Sequence, residues 1–251
     1  MKANKKIVFL IGGSGLIGKH IKKKLEISKY KVVNLDIAKH GKHYVNFDCS
    51  KTDEIEHNLK LAINKYKTPD ILINCSYPIK GRWIKNDFKN LKANEIRDNL
   101  DCHLVSYSII SSFIAKQMVS KKIKGKIILF SSIYGFLAQN YKNYIGTKIK
   151  ENVTYSLIKG GIISLTKQMA AYYGKYNIEI NAVSPGAVSG HVKGTKIKQN
   201  KKFINAYSQN TPLKRLCRPE EISNLVEFLV SEKSSYITGQ NIIIDGGYSI
   251  I

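Results

Sequence analysis

Short apolar runs alternate with longer stretches of helical period along the whole chain. The runs at 7–11, 32–35, 71–73, 127–130, 178–183 and 242–244 are rich in Ile and Val and bounded by turn residues, as strands buried on both faces are. Between them, apolar positions recurring every three or four residues predict helices at about 16–28, 53–66, 95–120, 153–174 and 219–231. The last opens with Arg218-Pro219-Glu220-Glu221, proline and acids in the first turn as a helix start prefers. This alternation predicts an α/β fold, a doubly wound parallel sheet with helices on both faces. Two stretches read as irregular: about 136–152, and about 187–211, which is basic and carries Gly190 and Gly194. No repeat or linker breaks the pattern, so residues 1–251 are expected to form a single domain.

A hydrophobic content of 43% with 10% aromatics is that of a globular protein, and no apolar run approaches the ~20 residues of a membrane span. The basic start followed by the run at 7–11 imitates a secretory signal. That run is too short and enters a glycine-rich turn, so it reads as a first buried strand of a cytoplasmic protein. Cys49, Cys75, Cys102 and Cys217 are scattered without metal-ligand spacing, which suggests a reducing compartment and no metal. The formal net charge of +23 raises the question of nucleic acid. Only Arg82, Arg97, Arg215 and Arg218 carry the forked guanidinium that base readers favour, the other cations being lysines spread over most of the chain. A lysine-rich solvated surface accounts for the charge, with an anionic substrate or nonspecific polyanion attraction as alternatives; no specific nucleic-acid partner is expected.

Gly12-Gly13-Ser14-Gly15-Leu16-Ile17-Gly18 follows the first strand directly and opens the first helix. Glycines there permit a tight turn, let backbone N–H groups approach a pyrophosphate and aim a helix N-terminus at its charge. Asp36 ends the second strand, eighteen residues past Gly18, where a carboxylate accepts from an adenosine ribose 2′-hydroxyl and repels a 2′-phosphate. The unit is expected to bind a dinucleotide in a Rossmann-type sheet through Gly12, Ser14, Gly15, Leu16, Ile17, Gly18 and Asp36, with NAD favoured over NADP. Lys19 and Lys39 are the residues that speak for NADP. Asp48, with Cys49 beside it, ends a third strand and is placed either to meet the adenine edge or to make a turn. Asn74, closing the strand at 71–73, is a strand-end cap or a cofactor-side contact.

Tyr155 and Lys159 lie one turn apart on the same face of a predicted helix. Free tyrosine titrates near ~10, and bringing a phenol to between 7 and 8 needs about 3–4 kcal/mol of preferential stabilisation of the phenolate. A lysine charge held close in a partly dry cleft is a source of that energy. Tyr144-Ile145-Gly146-Thr147-Lys148 repeats the spacing. After Lys159 the apolar positions 162, 165 and 169 continue at helical period, whereas Ile149-Lys150-Glu151-Asn152 reads as loop, so Tyr155 is preferred over Tyr144 as the functional residue.

These residues, with Ser131-Ser132 closing a strand, Asn181-Ala182-Val183-Ser184-Pro185-Gly186, and Thr238-Gly239-Gln240-Asn241 running on to Asp245-Gly246-Gly247, occur in the order of the short-chain dehydrogenase/reductase family. The chain resembles that family over nearly its whole length. The resemblance implies an NAD(P)-dependent oxidoreductase moving hydride between nicotinamide and a secondary alcohol or ketone. It implies that Tyr155 gives or takes the proton of the substrate oxygen, that Lys159 lowers its pKa and holds the nicotinamide ribose, and that Ser132 hydrogen-bonds the reacting carbonyl or alcohol. Pro185, Gly186 and Val188 would flank the nicotinamide, and the final strand suggests a homodimer or homotetramer.

Departures from the family's pattern bear on substrate. The family's asparagine on the long middle helix, which steadies a proton-relay water, falls on His103, with Asn99 one turn earlier. His103, titratable near neutrality, is a relay or a plain helix residue. Ile11 stands at the family's turn threonine, and Asn74 is followed by Cys75-Ser76-Tyr77-Pro78 where Asn-Ala-Gly is usual. The interval between Ser132 and Tyr155 is longer than the family's, so 136–152 reads as an insertion at the mouth of the site and 187–211 as a substrate lid. The insertion, the turn at 76–78 and Ser132-Ile133-Tyr134-Gly135 resemble the branch serving bacterial sialic-acid-like (legionaminic-acid-type) sugar synthesis and flagellin glycosylation. That likeness implies an anionic sugar phosphate or nucleotide sugar, drawn to Lys193, Lys196, Lys198, Lys201 and Lys202. The alternatives are a reductase of acyl-chain or small ketone substrates, and a dinucleotide-sensing or polyanion-binding protein without chemistry.

Overall fold

Successive side chains of a strand point to opposite faces, and here both faces meet apolar layers, which is why the strands read as unbroken apolar runs. The computed structural model describes residues 5–78, 87–147, 152–190 and 199–251. Strands β1 (Ile7–Ile11), β2 (Lys31–Asp36), β3 (Tyr44–Asn46), β4 (Ile71–Asn74), β5 (Lys126–Phe130), β6 (Glu179–Pro185) and β7 (Asn241–Ile244) form one parallel sheet in the order β3-β2-β1-β4-β5-β6-β7. Phe9, Ile11, Val33, Leu35, Leu72, Ile127 and Leu129 face a layer made by α2 (Ile55–Tyr66), α4 (Ser106–Ser120) and α5 (Val153–Tyr173). Val8, Leu10, Val32, Ile71, Ile73, Ile128, Phe130 and Val183 face the other, made by α1 (Leu16–Ile27) and α7 (Pro219–Val230). Each such side chain taken out of water contributes about 1.5–3 kcal/mol, so the two layers carry the fold. The doubly wound α/β expectation holds.

The strand order turns back on itself between β1 and β4, and in such a sheet the crevice beyond the carboxyl ends of those two strands receives ligands. The 12–18 turn follows β1, Asp36 ends β2, Asn74 ends β4, Ser131 and Ser132 follow β5, and Pro185 ends β6. Every candidate strand-end residue is thus on one rim.

Two elements differ from the sequence expectation. The single helix expected over 95–120 is divided, α3 (Ala93–Leu100) passing through a π-helical turn at Asp101–Val105 before α4 begins. Ser106 Oγ donates to the Cys102 and His103 carbonyls, both at 2.9 Å, a local bond that competes with the ordinary helical ladder. The wider turn carries Cys102 and His103, consecutive residues, both into the interior. The stretch at 187–211, read as irregular, contains α6 (Lys201–Gln209). Asn200 caps it by accepting from the Lys202 amide at 2.8 Å, and Phe203, Ile204 and Tyr207 turn one face onto Ile133, Leu216 and Tyr248. Arg82, Lys148, Lys193, Lys196 and Lys198 lie outside the described residues. The predicted start of α7 is as expected: Glu221 returns to accept from the Arg218 amide at 2.8 Å and from the Arg215 guanidinium at 2.7 and 2.8 Å, and the Arg215 and Arg218 bonds hold its carboxyl down at about 2. No helix among the described residues is long and apolar enough to cross a membrane.

Candidate active site

The nucleotide end is built from backbone. Gly12 leaves β1 with φ +80°, and a Cβ there would stand 2.7 Å from Ser76 Cα, so only glycine permits the turn to pass under the 75–78 loop. A Cβ at Gly18 would enter the Gly12 carbonyl, which lets α1 close against the turn. That helix starts with Gly15 as N-cap, no side-chain cap and no acid in its first turn, leaving its N-terminal amides facing outward where an anion would be welcome. Asp36 stands opposite. One carboxylate oxygen accepts from the Ser14 amide at 2.8 Å and the other from the Ala38 amide at 2.9 Å, which fixes the group while its remaining lone pairs can still accept.

Between these walls lies a cavity of about 490 Å³, within the range of small-molecule sites. Gly12, Gly15, Leu16, Ile17, Gly18, Asp36, Asp48 and Cys49 line it as expected. Ser14 does not: it is buried behind the wall, donating to the Ala38 carbonyl at 2.6 Å and receiving the Asn34 amide at 3.0 Å. Asn74 also lies behind the wall, fully buried, because its carbonyl oxygen is drawn to the Ser76 hydroxyl and amide at 2.7 and 3.2 Å. Its amide nitrogen is left buried without a partner among the described residues. Asp48 both lines the cavity and makes a turn, accepting from the Ser50 amide and hydroxyl at 3.0 and 2.7 Å. Neither Lys19 nor Lys39 lines the cavity. Ile11, Leu35, Phe47 and the residues following directly on β2 and β4, Ile37, Ala38 and Cys75 to Pro78, complete the walls and were not assigned to the cofactor; the last two groups lie on the rim the sheet topology marks. Burial pushes the Cys49 thiol up to about 11 and that of Cys75 to about 12, so both stay protonated. The glycine cradle, the outward helix terminus and the fixed carboxylate fit a dinucleotide.

The second half of the site is built from side chains. Ser132 follows β5, and its hydroxyl accepts from the Tyr134 amide at 3.3 Å and shares a hydrogen bond with the Tyr155 phenol. Tyr155 sits in the first turn of α5, whose N-cap Asn152 accepts from the Tyr155 amide at 3.0 Å. Lys159 follows one turn later, buried, with Nζ 5.7 Å from the centre of the Tyr155 ring. Ser131 ties the two segments together, donating to the Lys159 carbonyl at 2.7 Å.

Burial dominates the tyrosine's proton affinity over the lowering expected from Lys159. The Lys159 ammonium donates to the Phe130 carbonyl at 2.9 Å and lies among the rings of Tyr77, Tyr107 and Tyr155. Burial brings it down to about 8, the neighbouring Cys75 thiol opposing. Burial raises the Tyr155 phenol above its ordinary value, with the Ser132 bond opposing and the Tyr144 phenol adding to the rise. Tyr155 is therefore held as an acid, because the site is dry.

His103 is fully buried and meets Tyr77 edge-on at 5.3 Å. Burial, with the Lys159 charge adding, takes its pKa to about 3 against a hydrogen bond to the Pro78 carbonyl. The expectation of titration near neutrality is corrected: the imidazole is neutral, and it ties the 75–78 loop to the middle helix. Asn99 is likewise committed, donating to Thr154 Oγ1 at 3.3 Å. Pro185, Gly186 and Val188 lie off the cavity wall: Pro185 pairs with Ile244, the Gly186 amide donates to the Ile244 carbonyl at 3.0 Å, and Val188 bridges to Cys217. The two halves meet at Tyr77, which lines the cavity and stands 5.9 Å from the Tyr155 ring. Tyr144, set aside in favour of Tyr155, nevertheless lies within electrostatic reach of it.

A family model described as enoyl-(acyl carrier protein) reductase matches residues 24–249. The post-translational flagellin modification protein A of Campylobacter coli is 26% identical, over 98% of each chain. The 3-oxoacyl-acyl-carrier-protein reductase FabG of Buchnera aphidicola subsp. Schizaphis graminum is 30% identical, again over 98% of each. Among solved structures, a short chain dehydrogenase from Leptospira borgpetersenii with bound NAD+ is similar with a TM-score of 0.86 and 30% identity, covering 98% of this chain and 93% of that one.

Proposed function

This chain belongs to the short-chain dehydrogenase/reductase family, an NAD(P)-dependent oxidoreductase of alcohol and ketone groups, and from that premise we propose that it uses NAD on a secondary alcohol or ketone of a sugar phosphate or nucleotide sugar. The observation that carries the chemistry is the Ser132–Tyr155 hydrogen bond with Lys159 one turn behind, beside a cavity that ends in Asp36. When bound, nicotinamide supplies or accepts the hydride. Tyr155, held protonated by burial, gives its proton to the substrate oxygen, and Ser132 orients that oxygen through its hydroxyl. Lys159 holds a positive charge below about pH 8 next to the phenol, stabilising the phenolate once the proton has left. His103, brought down to about 3 by burial, is neutral near pH 7 and meets Tyr77 of the 75–78 loop. Gly12, Gly15, Leu16, Ile17, Gly18, Asp48 and Cys49 would border the adenosine and pyrophosphate, and Pro185, Gly186 and Val188 the nicotinamide side.

NAD is favoured because a ribose 2′-phosphate would meet the fixed carboxylate of Asp36, with no lysine among the described residues on the cavity wall to neutralise it. The sugar preference is supported by the similarity to the flagellin modification protein and by Lys201 and Lys202 at the start of α6, in the stretch we assign as lid. Exposed Ile243, Ile250 and Ile251 beside the edge strand support a homodimer or homotetramer. A second reading, reduction of acyl-chain ketones, is favoured by the 30% identity to FabG and by exposed Phe136 and Ile145 in the insertion. Absorbance of reduced nicotinamide across phosphosugars and nucleotide sugars, with ethyl acetoacetate as the acyl-type control, separates them. Turnover confined to ethyl acetoacetate would replace the sugar assignment by the second reading.

A further inference from the structure

Tyr144 ends a short 3-10 turn, Tyr141–Tyr144, within the insertion. Its ring lies parallel to that of Phe203 on α6, centroids 6.0 Å apart at 4°, and its hydroxyl donates to the Tyr134 hydroxyl at 3.3 Å. Tyr134 comes two residues after Ser132, and its ring centre is 6.5 Å from that of Tyr155. The foot of the turn is fixed: buried Asn143 donates to the Tyr248 hydroxyl at 2.8 Å and accepts from the Asn210 amide at 3.0 Å. Three separate segments, the loop after β5, the insertion and α6, thus converge to hold one phenol in one place.

A phenylalanine would serve the stacking equally well; what the hydroxyl adds is a polar group tied to Tyr134. Tyr144 is half-buried, and through its bond to Tyr134 its hydroxyl stands beside the Ser132–Tyr155 pair. A phenol both donates and accepts, as a substrate hydroxyl does, and a site built around such a pair rejects analogues lacking the group. We propose that Tyr144, oriented by Phe203 and Tyr134, is a specificity-determining residue that hydrogen-bonds a hydroxyl on the carbon next to the reacting one, and so selects hydroxylated ketones and polyols over ketones flanked by methylenes. The proposal rests on the oxidoreduction assigned above and names the substrate feature the site reads.

The test is reduction by NADH of 1,3-dihydroxyacetone, its phosphate, L-xylulose and ethyl acetoacetate by wild type, Tyr144→Phe and Tyr134→Phe. Tyr144→Phe should lower kcat/KM for the hydroxylated ketones about 10- to 100-fold and change ethyl acetoacetate less than about threefold. Tyr134→Phe, which loosens the phenol's orientation, should lower the same substrates by a smaller factor. An equal loss on all substrates makes Tyr144 a structural residue, and no loss on any makes it a bystander; either overturns the proposal while leaving a wild-type preference for hydroxylated ketones intact. A wild type that reduces none of the hydroxylated ketones overturns the sugar assignment and this proposal with it.

Discussion

At the nucleotide end of the crevice the walls are largely backbone and one anchored carboxylate; at the substrate end they are side chains brought from distant segments. Gly12, Gly15 and Gly18 act by what they lack, and their places are fixed within one strand-turn-helix unit. Ser132, Tyr144, Tyr155, Lys159 and Phe203 act by what they carry, and they come from the end of β5, the stretch between β5 and α5, α5 and α6. Backbone walls grip a group that is always the same and tolerate almost no added atom. Side-chain walls can change substrate while the proton-handling pair stays where it is.

The sharpest test of that division is Tyr155→Phe, which removes a proton and leaves the walls. Turnover should fall about 10³-fold while NADH fluorescence titration gives an unchanged Kd. Normal turnover, or lost NADH binding, would break the division. His103 probes whether the substrate end rests on a neutral imidazole. Its folded pKa of about 3 lies below the ordinary 6.5, so between those values the unfolded chain binds the proton and the native one does not. Stability should hold above pH 6.5 and fall as pH drops, by on the order of 3 kcal/mol near pH 4. Urea unfolding at pH 7 and pH 4 should show this loss in wild type and a smaller one in His103→Asn; identical losses would remove His103 as its source. Asp36→Ala should shift the ratio of NAD to NADP use about 10- to 100-fold toward NADP without altering preference among ketones. An unchanged ratio would take the carboxylate off the ribose. A last expected effect, small near pH 8 itself, is a limb in the pH profile. Lys159, brought down to about 8, loses its charge as pH rises through that value, so kcat should decline there about tenfold per unit and the decline should move to higher pH in Lys159→Arg. A flat profile up to pH 10 in wild type would show that the charge is not used.

Much of the nucleotide end was legible because its information is contiguous. A strand, a glycine turn, a helix and an acid at the next strand end determine one another's positions within some thirty residues, and eight of the predicted contacts line the cavity. Ser14 and Asn74 were misplaced because short polar side chains at strand ends bond their own backbone, and the pattern does not say which way they turn. At the other end the i, i+4 spacing put Tyr155 and Lys159 on one face, and the geometry agrees. The direction in which burial moves each group was not legible, since it depends on Phe130, Tyr77 and Tyr107 closing around the amine. The helix α6 escaped detection because only Phe203, Ile204 and Tyr207 mark its inner face within a run of lysines.

By itself the sequence determined the doubly wound sheet, the rim on which the chemistry lies, and the paired tyrosine and lysine. Those follow from local period and spacing, which need no knowledge of distant neighbours. Only the tertiary structure decided that burial lowers His103 and raises Tyr155, and that Tyr144 stacks on Phe203. Burial, desolvation and ring stacking are properties of residues far apart in the chain that meet only when it has folded.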